Sequence, residues 1–504
     1  MSALAPARRL WLACGLPVHA LEHLHLSPRP DPVVKSHFKL GTVAQTSIGL
    51  SALAAAHFHQ LRTGDVQDVS VDARHAAIEF NSEKYYLVDG QPTTGNLFDD
   101  LAGMYETRDG YVRLHTNFPH HKQGILDILG CDAQQTSVAA TLKKWTALEF
   151  EREVIQRGMC ATALRSFEEL PFYPKDHNIS DILPVSIAKI GDAPRREVAK
   201  GSQMSYALQG LKVIDMTRVL AGPVCGRTLA AHGAEVLWIT SPNLPALPDL
   251  DVDTSRGKRT AQLDLNDAKD SVQLRNLLSA SDVFLQSYRP GGLASRGFSS
   301  KEAASLRPGI VCASLSAYPP DSTWAEVRGF DSLVQTMSGF NVAEARAYAA
   351  CMRAQGAEAD TLAALPPYRA LPMQALDHAA GYFLAFGIAA ALCKTITEGG
   401  SWEVHVSLAE TMLWIKNLGT LEPERAFSEG RLLPTKAVPP HPEIAGLYTT
   451  LEECLAGTTA DTERPGPERR TLTAIRHSAV MSRTPVRDGC APMRLDAHQA
   501  TWRL

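Results

Sequence analysis

Two distant stretches of the chain repeat one another, and this repeat constrains the fold more than any other feature of the sequence. Residues 41–56 align without gaps with residues 376–391. Each stretch is a run of small and apolar residues typical of a buried helix, and each leads through a Gly turn into a short alternating strand. Thr42 in the first copy stands opposite Asp377 in the second. The gapless register predicts an internal duplication.

Strand and helix patterns alternate in the second half of the chain. Short apolar strands are predicted at 211–216, 235–239, 260–265, 282–286 and 310–315, with helical patterns at 219–232 and 274–279. This alternation predicts an α/β fold with a doubly wound, Rossmann-like parallel sheet, in which ligands bind at the carboxyl ends of the strands.

The remaining segments differ from this large domain in texture, which predicts five regions. Alternating residues at 110–115 and helical spacing at 138–142 and 150–156 indicate a smaller α+β domain. A polar stretch indicates a linker, and a Pro- and charge-rich stretch indicates a mobile loop near 455–470. The predicted regions are a partial large-domain segment at 1–84, the small domain at 85–191, the linker at 192–207, the large domain at 208–421 and an abbreviated small domain at 422–504.

Composition excludes several classes of protein and partner. The chain has 504 residues, 45% of them hydrophobic, and a net charge of −4, which argues against nucleic acid as a partner. Nine cysteines without metal-ligand spacing disfavour a disulfide framework and a metal site and favour a reducing, cytoplasmic location. The longest strongly apolar stretch, 381–392, is shorter than the roughly 20 residues of a membrane span and predicts a buried helix.

The strongest local motif is residues 215–226, a strand end followed by an Ala-Gly-Pro turn and a helix start. Backbone amides at such a turn can hold an anionic or polarised oxygen, although close helix–strand packing explains the glycines equally well. Gly222 and Gly226 lack the G-x-G spacing of a dinucleotide site. The motif therefore does not favour a nicotinamide or flavin enzyme.

Two basic motifs follow predicted elements of the large domain. Arg256, Lys258 and Arg259 precede one strand, and Tyr288 with Arg289 follow another at its carboxyl end. Each motif alone is read most simply as a solvated loop or a Pro-Gly turn. Together they indicate a pocket for a phosphorylated nucleotide.

Asp377 begins the second apolar helix. A carboxylate there is read most simply as a charge that satisfies the free amides of the helix start, and the sharper hypothesis is a nucleophile or acid–base group in an apolar cleft. The close histidine pairs, including His120 and His121, accompany no known catalytic motif and are interpreted as surface or packing residues.

Five motifs in order resemble the class III CoA-transferases, a family that includes formyl-CoA and carnitine CoA-transferases and the related 2-methylacyl-CoA racemases. Residues 105–114 are similar to the start of that family's small domain, and 472–477 and 482–486 to its end, so the chain resembles a partial copy fused ahead of a fuller one. The motifs occupy residues 211–223, 256–265, 282–291, 307–318 and 329–335.

The resemblance implies a specific chemistry for this chain. Asp377 falls on the family's catalytic aspartate, whose carboxylate attacks an acyl-CoA thioester to form a mixed anhydride before CoA passes to a second carboxylic acid. Coenzyme A is then a substrate, and no other cofactor is expected. Family members form interlocked dimers, which implies a homodimer or an intrachain pseudo-dimer. The implied CoA-binding residues are Arg218, Val219, Leu220, Ala221, Gly222, Arg256, Lys258, Arg259, Tyr288 and Arg289.

The sequence also departs from the family pattern. Thr240 stands where many relatives have an acidic residue, and Gln286–Tyr288 replace their Glu-Asn-Phe. The racemase branch has a histidine before the residue corresponding to Asp331, where this chain has Phe330, so a racemase would need another base, with His378 the near neighbour of Asp377. The transferase is therefore preferred, with a racemase-like enzyme and a noncatalytic CoA-binding protein as alternatives.

Overall fold

The computed structural model describes residues 4–93, 95–173, 178–198, 203–453, 470–487 and 489–503. The mobile loop predicted near 455–470 therefore lies outside the described residues, except for Arg470, and so do residues 199–202 of the predicted linker.

The N-terminal segment is built around one long helix. This helix, α2, is buried over most of its length and ends at Gly64, whose φ of 88° terminates the helix in the left-handed conformation that glycine adopts at little cost. The elements of this segment are α1 (Ala5–Ala13), β1 (Leu24–Leu26), α2 (Leu40–Thr63), β2 (Val69–Val71), α3 (Ala73–Glu79), β3 (Leu87–Val88) and β4 (Gln91–Pro92).

A small α+β unit follows, with a hydrophobic core of its own. Its three antiparallel strands bury Val112 and Leu114 against three helices, one of which starts with a capping box formed by Thr146 and Glu149. The elements are β5 (Gly103–Glu106), β6 (Tyr111–Leu114), α4 (Pro119–Leu129), α5 (Gln135–Leu142), α6 (Ala147–Gln156) and β7 (Ala161–Ala163).

The large domain contains a seven-stranded sheet. It includes β8 (Ser186–Gly191), which lies within the predicted small domain but pairs antiparallel with the edge of the large sheet, Ile187 opposite Val404. The further elements are β9 (Lys212–Met216), α7 (Ala221–Ala231), β10 (Glu235–Thr240), α8 (Pro248–Thr254), β11 (Arg259–Gln262), α9 (Ala268–Ser279), β12 (Val283–Gln286), α10 (Ser300–Leu306), β13 (Val311–Ser316), α11 (Asp331–Met337), α12 (Phe340–Ala354), α13 (Ala359–Ala363), α14 (Ala375–Thr397), β14 (Ser401–Ser407) and α15 (Leu408–Asn417).

The order of strands in this sheet is β11-β10-β9-β12-β13-β14-β8, and every neighbouring pair except β14–β8 is parallel. This is the strand order of the doubly wound nucleotide-binding fold, so the predicted α/β class is confirmed. The order reverses between β9 and β12, and the crevice beyond their carboxyl ends is where such folds bind ligands.

The C-terminal segment completes sheets begun by the N-terminal segment. β16 pairs with β3, and β17 pairs with β2, because their alternating apolar residues cover the same cores. The two ends of the chain are therefore interlocked in the fold. The elements are α16 (Pro442–Ala445), β15 (Tyr448–Glu452), β16 (Thr471–Ile475) and β17 (Ala479–Met481).

The two repeat helices, α2 and α14, pack against each other in the largest hydrophobic core. α14 is apolar on all sides, as a helix surrounded by protein must be, and it extends beyond the apolar stretch used to predict it. By length and composition it could cross a membrane, but most of its residues are buried inside the protein. It is therefore a core helix.

Seven cysteines in the described residues are free thiols, and Cys490 takes part in a disulfide. The structure accordingly contains a disulfide at the C-terminal segment, which the low cysteine count did not predict.

Candidate active site at the start of the second repeat helix

The free amides at the start of α14 are capped from another helix. The N–H groups of Leu376 and Asp377 donate to Asp331 Oδ2 at 2.8 and 3.0 Å, and Asp331 is the first residue of α11. The simple interpretation of Asp377 as the capping charge is therefore not what the structure shows. Among the described residues no donor bonds the Asp377 carboxylate, which is available for chemistry.

Asp331, Asp377 and Glu83 form what we call the carboxyl cluster. Burial raises the pKa of Asp377 well above its ordinary value, and the nearby carboxylates of Asp331 and Glu83 raise it further. Burial also raises the pKa of Asp331 to about 6, although the amides that it caps favour its charged form. The cluster thus holds a desolvated carboxyl group whose ionisation is sensitive to its neighbours.

His378, the neighbour of Asp377, points into a separate set of contacts. Its Nε2 lies 3.0 Å from Glu83 Oε2, and its ring stacks on Phe80 with 5.3 Å between ring centroids. The side chain is fully buried. His378 is thereby held by Glu83, and its position does not favour a role as the free base of a racemase.

The turn after β9 lies against the start of α14. The backbone is left-handed at Val219, with φ of 72°, a conformation that a β-branched residue rarely adopts. A Cβ on Gly381, one turn beyond Asp377, would lie 2.5 Å from the carbonyl oxygen of Ala221. A Cβ on Gly222 would lie 2.6 Å from Thr217 Cβ. Glycine at both positions lets the predicted turn 218–222 approach the carboxylate of the repeat helix.

The first basic motif does not line this crevice. Lys258 is buried, with Nζ 2.8 Å from Asp215 Oδ2 and 2.9 Å from the Pro223 oxygen, and Arg256 is paired with Asp253 and donates to the Ile475 oxygen. This differs from the expected phosphate contacts, because these side chains already neutralise internal carboxylates and cap internal carbonyls.

Arg259, the third cation of that motif, is also engaged within the protein. Its guanidinium lies 3.3 Å from Glu235 Oε1 and donates to the carbonyl oxygen of Thr501. The motif is therefore structural in its contacts.

The second basic motif does reach the crevice, where it meets residues of the small α+β unit. The Arg218 guanidinium lies 5.0 Å from the Phe118 ring, and its backbone N–H donates to Ser287 Oγ, next to Tyr288. Arg328 Nη1 lies 2.7 Å from His121 Nε2.

The cations around His121 have no carboxylate to neutralise them. Burial lowers the pKa of His121 to about 3, and His120, Arg328, Arg218 and Arg289 lower it further. Among the described residues no acidic group contributes to the shift of either histidine. The crevice therefore has an excess of positive charge suited to an anion.

Sequence reasoning missed Arg328, His120 and His121 because they lie far from the large-domain motifs in the chain. His120 and His121 were interpreted as surface or packing residues. The signal was the predicted strand at 110–115 followed directly by an aromatic residue and paired histidines, since the end of a strand is where functional groups gather.

A narrow crevice at the carboxyl ends of β9 and β10 is lined by Arg218, Val219, Trp238 and Thr240 on one side and by Phe118 on the other. It contains two of the predicted binding residues. A larger cleft of about 520 Å³ lies between the small unit and α12 and is lined by none of the predicted site residues. The smaller crevice is the candidate site because the charge and the carboxyl cluster are placed there.

Comparison with known proteins identifies the family. Residues 208–456 match the sequence model of CoA-transferase family III. The chain is 26% identical over 435 residues to an acyl-CoA transferase of Gibberella moniliformis, covering 76% of this chain and 70% of that protein. The chain belongs to the class III CoA-transferase family, as the five ordered motifs predicted.

Other relatives are matched over a smaller share of their length. Acetyl-coenzyme A transferase nodX of Hypoxylon pulicicidum is 30% identical over 345 residues, covering 64% of this chain and 55% of that protein. A solved CAIB/BAIF family protein from Brucella suis is 22% identical, with a TM-score of 0.36, over 49% of this chain and 64% of that chain. The chain spans about half the length of several curated relatives.

Proposed function

We propose that this protein transfers CoA between an acyl-CoA thioester and a carboxylic acid, with Asp377 as the nucleophile. The observation that carries the proposal is the buried Asp377 carboxylate, which is relieved of helix capping by Asp331 and accepts no hydrogen bond from the described part of the chain. A desolvated carboxylate is a stronger nucleophile than one in water, and it is also a leaving group.

In the proposed reaction an Asp377 oxygen forms a bond to the thioester carbonyl carbon, and the carbon–sulfur bond breaks. The products are an aspartyl–acyl anhydride and CoA thiolate. The thiolate then attacks the Asp377 carbonyl carbon and releases the first acid as a carboxylate. An incoming carboxylate reverses these two steps and leaves as the new thioester, which restores Asp377 without any net gain or loss of protons or electrons.

For CoA itself, we propose the crevice between β9 and β12. Arg218, Arg289 and Arg328 supply the charge for its phosphates, and the turn 219–222 lies between them and Asp377. Tyr288 lies beside Arg218. Arg256, Lys258 and Arg259 are omitted from this proposal because their contacts are internal.

We also propose that the chain is one pseudo-dimer made of a partial and a fuller copy. In support, Asp31 Oδ1 accepts the N–H of Gly41 at 2.8 Å and Oδ2 that of Thr42 at 3.2 Å, which mirrors Asp331 at α14. The residues before the two helices have nearly the same backbone angles, φ −78° and ψ 59° before α2, and φ −77° and ψ 66° before α14. The first copy has Thr42 in place of the carboxylate, so the proposal gives one active site per chain.

The function is tested by following CoA exchange between a panel of short acyl-CoAs and free acids with Asp377→Asn. The variant keeps the size of the side chain and removes the nucleophile, so exchange falls to background. The matched control is Thr42→Ala at the equivalent position of α2, where exchange persists. CoA binding without exchange across the panel refutes the transferase and favours the noncatalytic alternative, while exchange of the acyl α-proton without transfer favours the racemase.

A further inference from the structure

The strand β6 presents one face to its own core and the other to the start of α11. Side chains alternate along a strand, and Val112 and Leu114 point into the small unit, so Tyr111, Arg113 and His115 share the opposite face. Tyr111 contacts Tyr368 edge-on at 5.3 Å, and the His115 ring stacks on Phe330 with 3.8 Å between centroids.

Phe330 immediately precedes Asp331, so this face lies beside the carboxyl cluster. Arg113 stands between the two aromatic contacts. Burial lowers the pKa of its guanidinium, and the nearby Asp331 carboxylate partly offsets that effect, which places Arg113 within electrostatic range of the cluster.

Arg113 and His115 are polar groups that the fold itself does not satisfy. Arg113 Nε is buried and has no hydrogen-bond partner among the described residues, and neither ring nitrogen of His115 has one. His115 is 4% exposed. Burying such groups without partners costs several kcal/mol in general, so two of them, two residues apart on one strand face, indicate a site that a ligand completes.

The charge of that ligand follows from the neighbours. The carboxyl cluster repels any free acid that approaches as an anion, and an acid cannot reach Asp377 in that form without a nearby cation. The only cations whose charge acts on the Asp331 and Asp377 carboxyls, within the described ranges, are Arg113 and the Glu83-bound His378. The Arg113 guanidinium can pair with a carboxylate through two N–H donors, and a neutral His115 can add a third.

We propose that Arg113, with His115 beside it, binds the carboxylate of the free acid substrate opposite Asp377. The inference rests on the proposed transferase function and adds to it: the small unit of the first copy supplies the acid site to the nucleophile of the second. The crevice cations Arg218, Arg289 and Arg328 remain for the phosphates of CoA.

The test separates the two substrates kinetically. For Arg113→Met, the KM for the free acid rises about 10- to 100-fold, as expected for loss of a charge-assisted hydrogen bond, and the KM for acyl-CoA stays unchanged. Arg113→Lys restores part of the affinity because it keeps the charge. His115→Phe keeps the stack on Phe330 and raises the same KM by a smaller factor. Arg108→Met, on the exposed turn of the same hairpin, is the matched control.

An unchanged KM for the acid in Arg113→Met, or an equal rise for both substrates, overturns the inference while leaving the transferase intact. If wild-type protein transfers no CoA, calorimetric titration with propionate and succinate in the presence of CoA decides: binding lost in Arg113→Met supports the acid site and refutes the transferase alone. No binding of either acid to the wild type overturns the acid site. Should Arg113→Met fail to fold by circular dichroism, Arg113→Lys and His115→Phe decide by the same criteria.

Discussion

Replacing Lys258 with methionine separates a structural role of the first basic motif from a role in CoA binding. Lys258 Nζ is fully buried, 2.8 Å from Asp215 Oδ2 and 2.9 Å from the Pro223 oxygen at the start of α7, and it lies 4.3 Å from the Trp238 ring centroid. Methionine fills a similar volume without the charge. The substitution leaves the Asp215 carboxylate buried and unpaired.

The expected cost follows from that geometry. Removing one partner of a buried ion pair typically costs about 3–5 kcal/mol, and stability of a whole domain is about 5–15 kcal/mol. Urea unfolding followed by far-ultraviolet circular dichroism should therefore show a large fall in the unfolding midpoint of Lys258→Met. In the double variant Lys258→Met/Asp215→Asn the loss is smaller than the sum of the single losses by about 0.5–3 kcal/mol, because no charge is left unpaired.

Lys269→Met, an exposed lysine of α9, is the control and leaves the midpoint unchanged. The reasoning is refuted if Lys258→Met unfolds at the wild-type urea concentration and instead weakens the binding of CoA but not of dephospho-CoA. That result would assign Lys258 to a phosphate, as the sequence motif first indicated.

Two further predictions concern the catalytic cluster and the assembly. In Asp331→Asn the amide oxygen still accepts the N–H groups of α14, but burial now raises the pKa of Asp377 with less help from a neighbouring charge. Because Asp377 must be ionised to attack, activity rises with pH through its pKa, and the acidic limb of kcat/KM moves to lower pH; an unmoved limb contradicts the assignment. Sedimentation equilibrium combined with CoA titration should give one active site per chain, and two sites per chain would contradict the loss of function at Thr42.

Much of the fold could be predicted because its local patterns agree with its tertiary structure. The apolar runs that became β9, β10, β12 and β13 are buried on both faces, so they read as strands without alternation. β8 could not be predicted, since its alternating and mostly exposed residues join the large sheet only through β14. The pairing of β3 with β16 across the chain has no local signal at all.

The site was predictable in part for a similar reason. Asp377 and the turn 218–222 lie in local motifs, and the structure brings them together through close contact at Gly381. The internal role of Lys258 depends on Asp215 across two strands, which spacing does not reveal. Arg113, His120 and His121 belong to the small unit, and their approach to the large domain is set by packing between segments far apart in sequence.

The most direct test of the central claim is to find the acyl carrier. Wild-type protein is incubated with an acyl-CoA and quenched with hydroxylamine, which converts an activated carboxyl into a hydroxamate, and the digested peptides are mapped by mass spectrometry. The proposed function predicts a hydroxamate on Asp377 that depends on acyl-CoA, with Asp331 and Glu83 unmodified. A hydroxamate on another carboxyl group, or none despite measurable CoA exchange, would contradict Asp377 as the nucleophile.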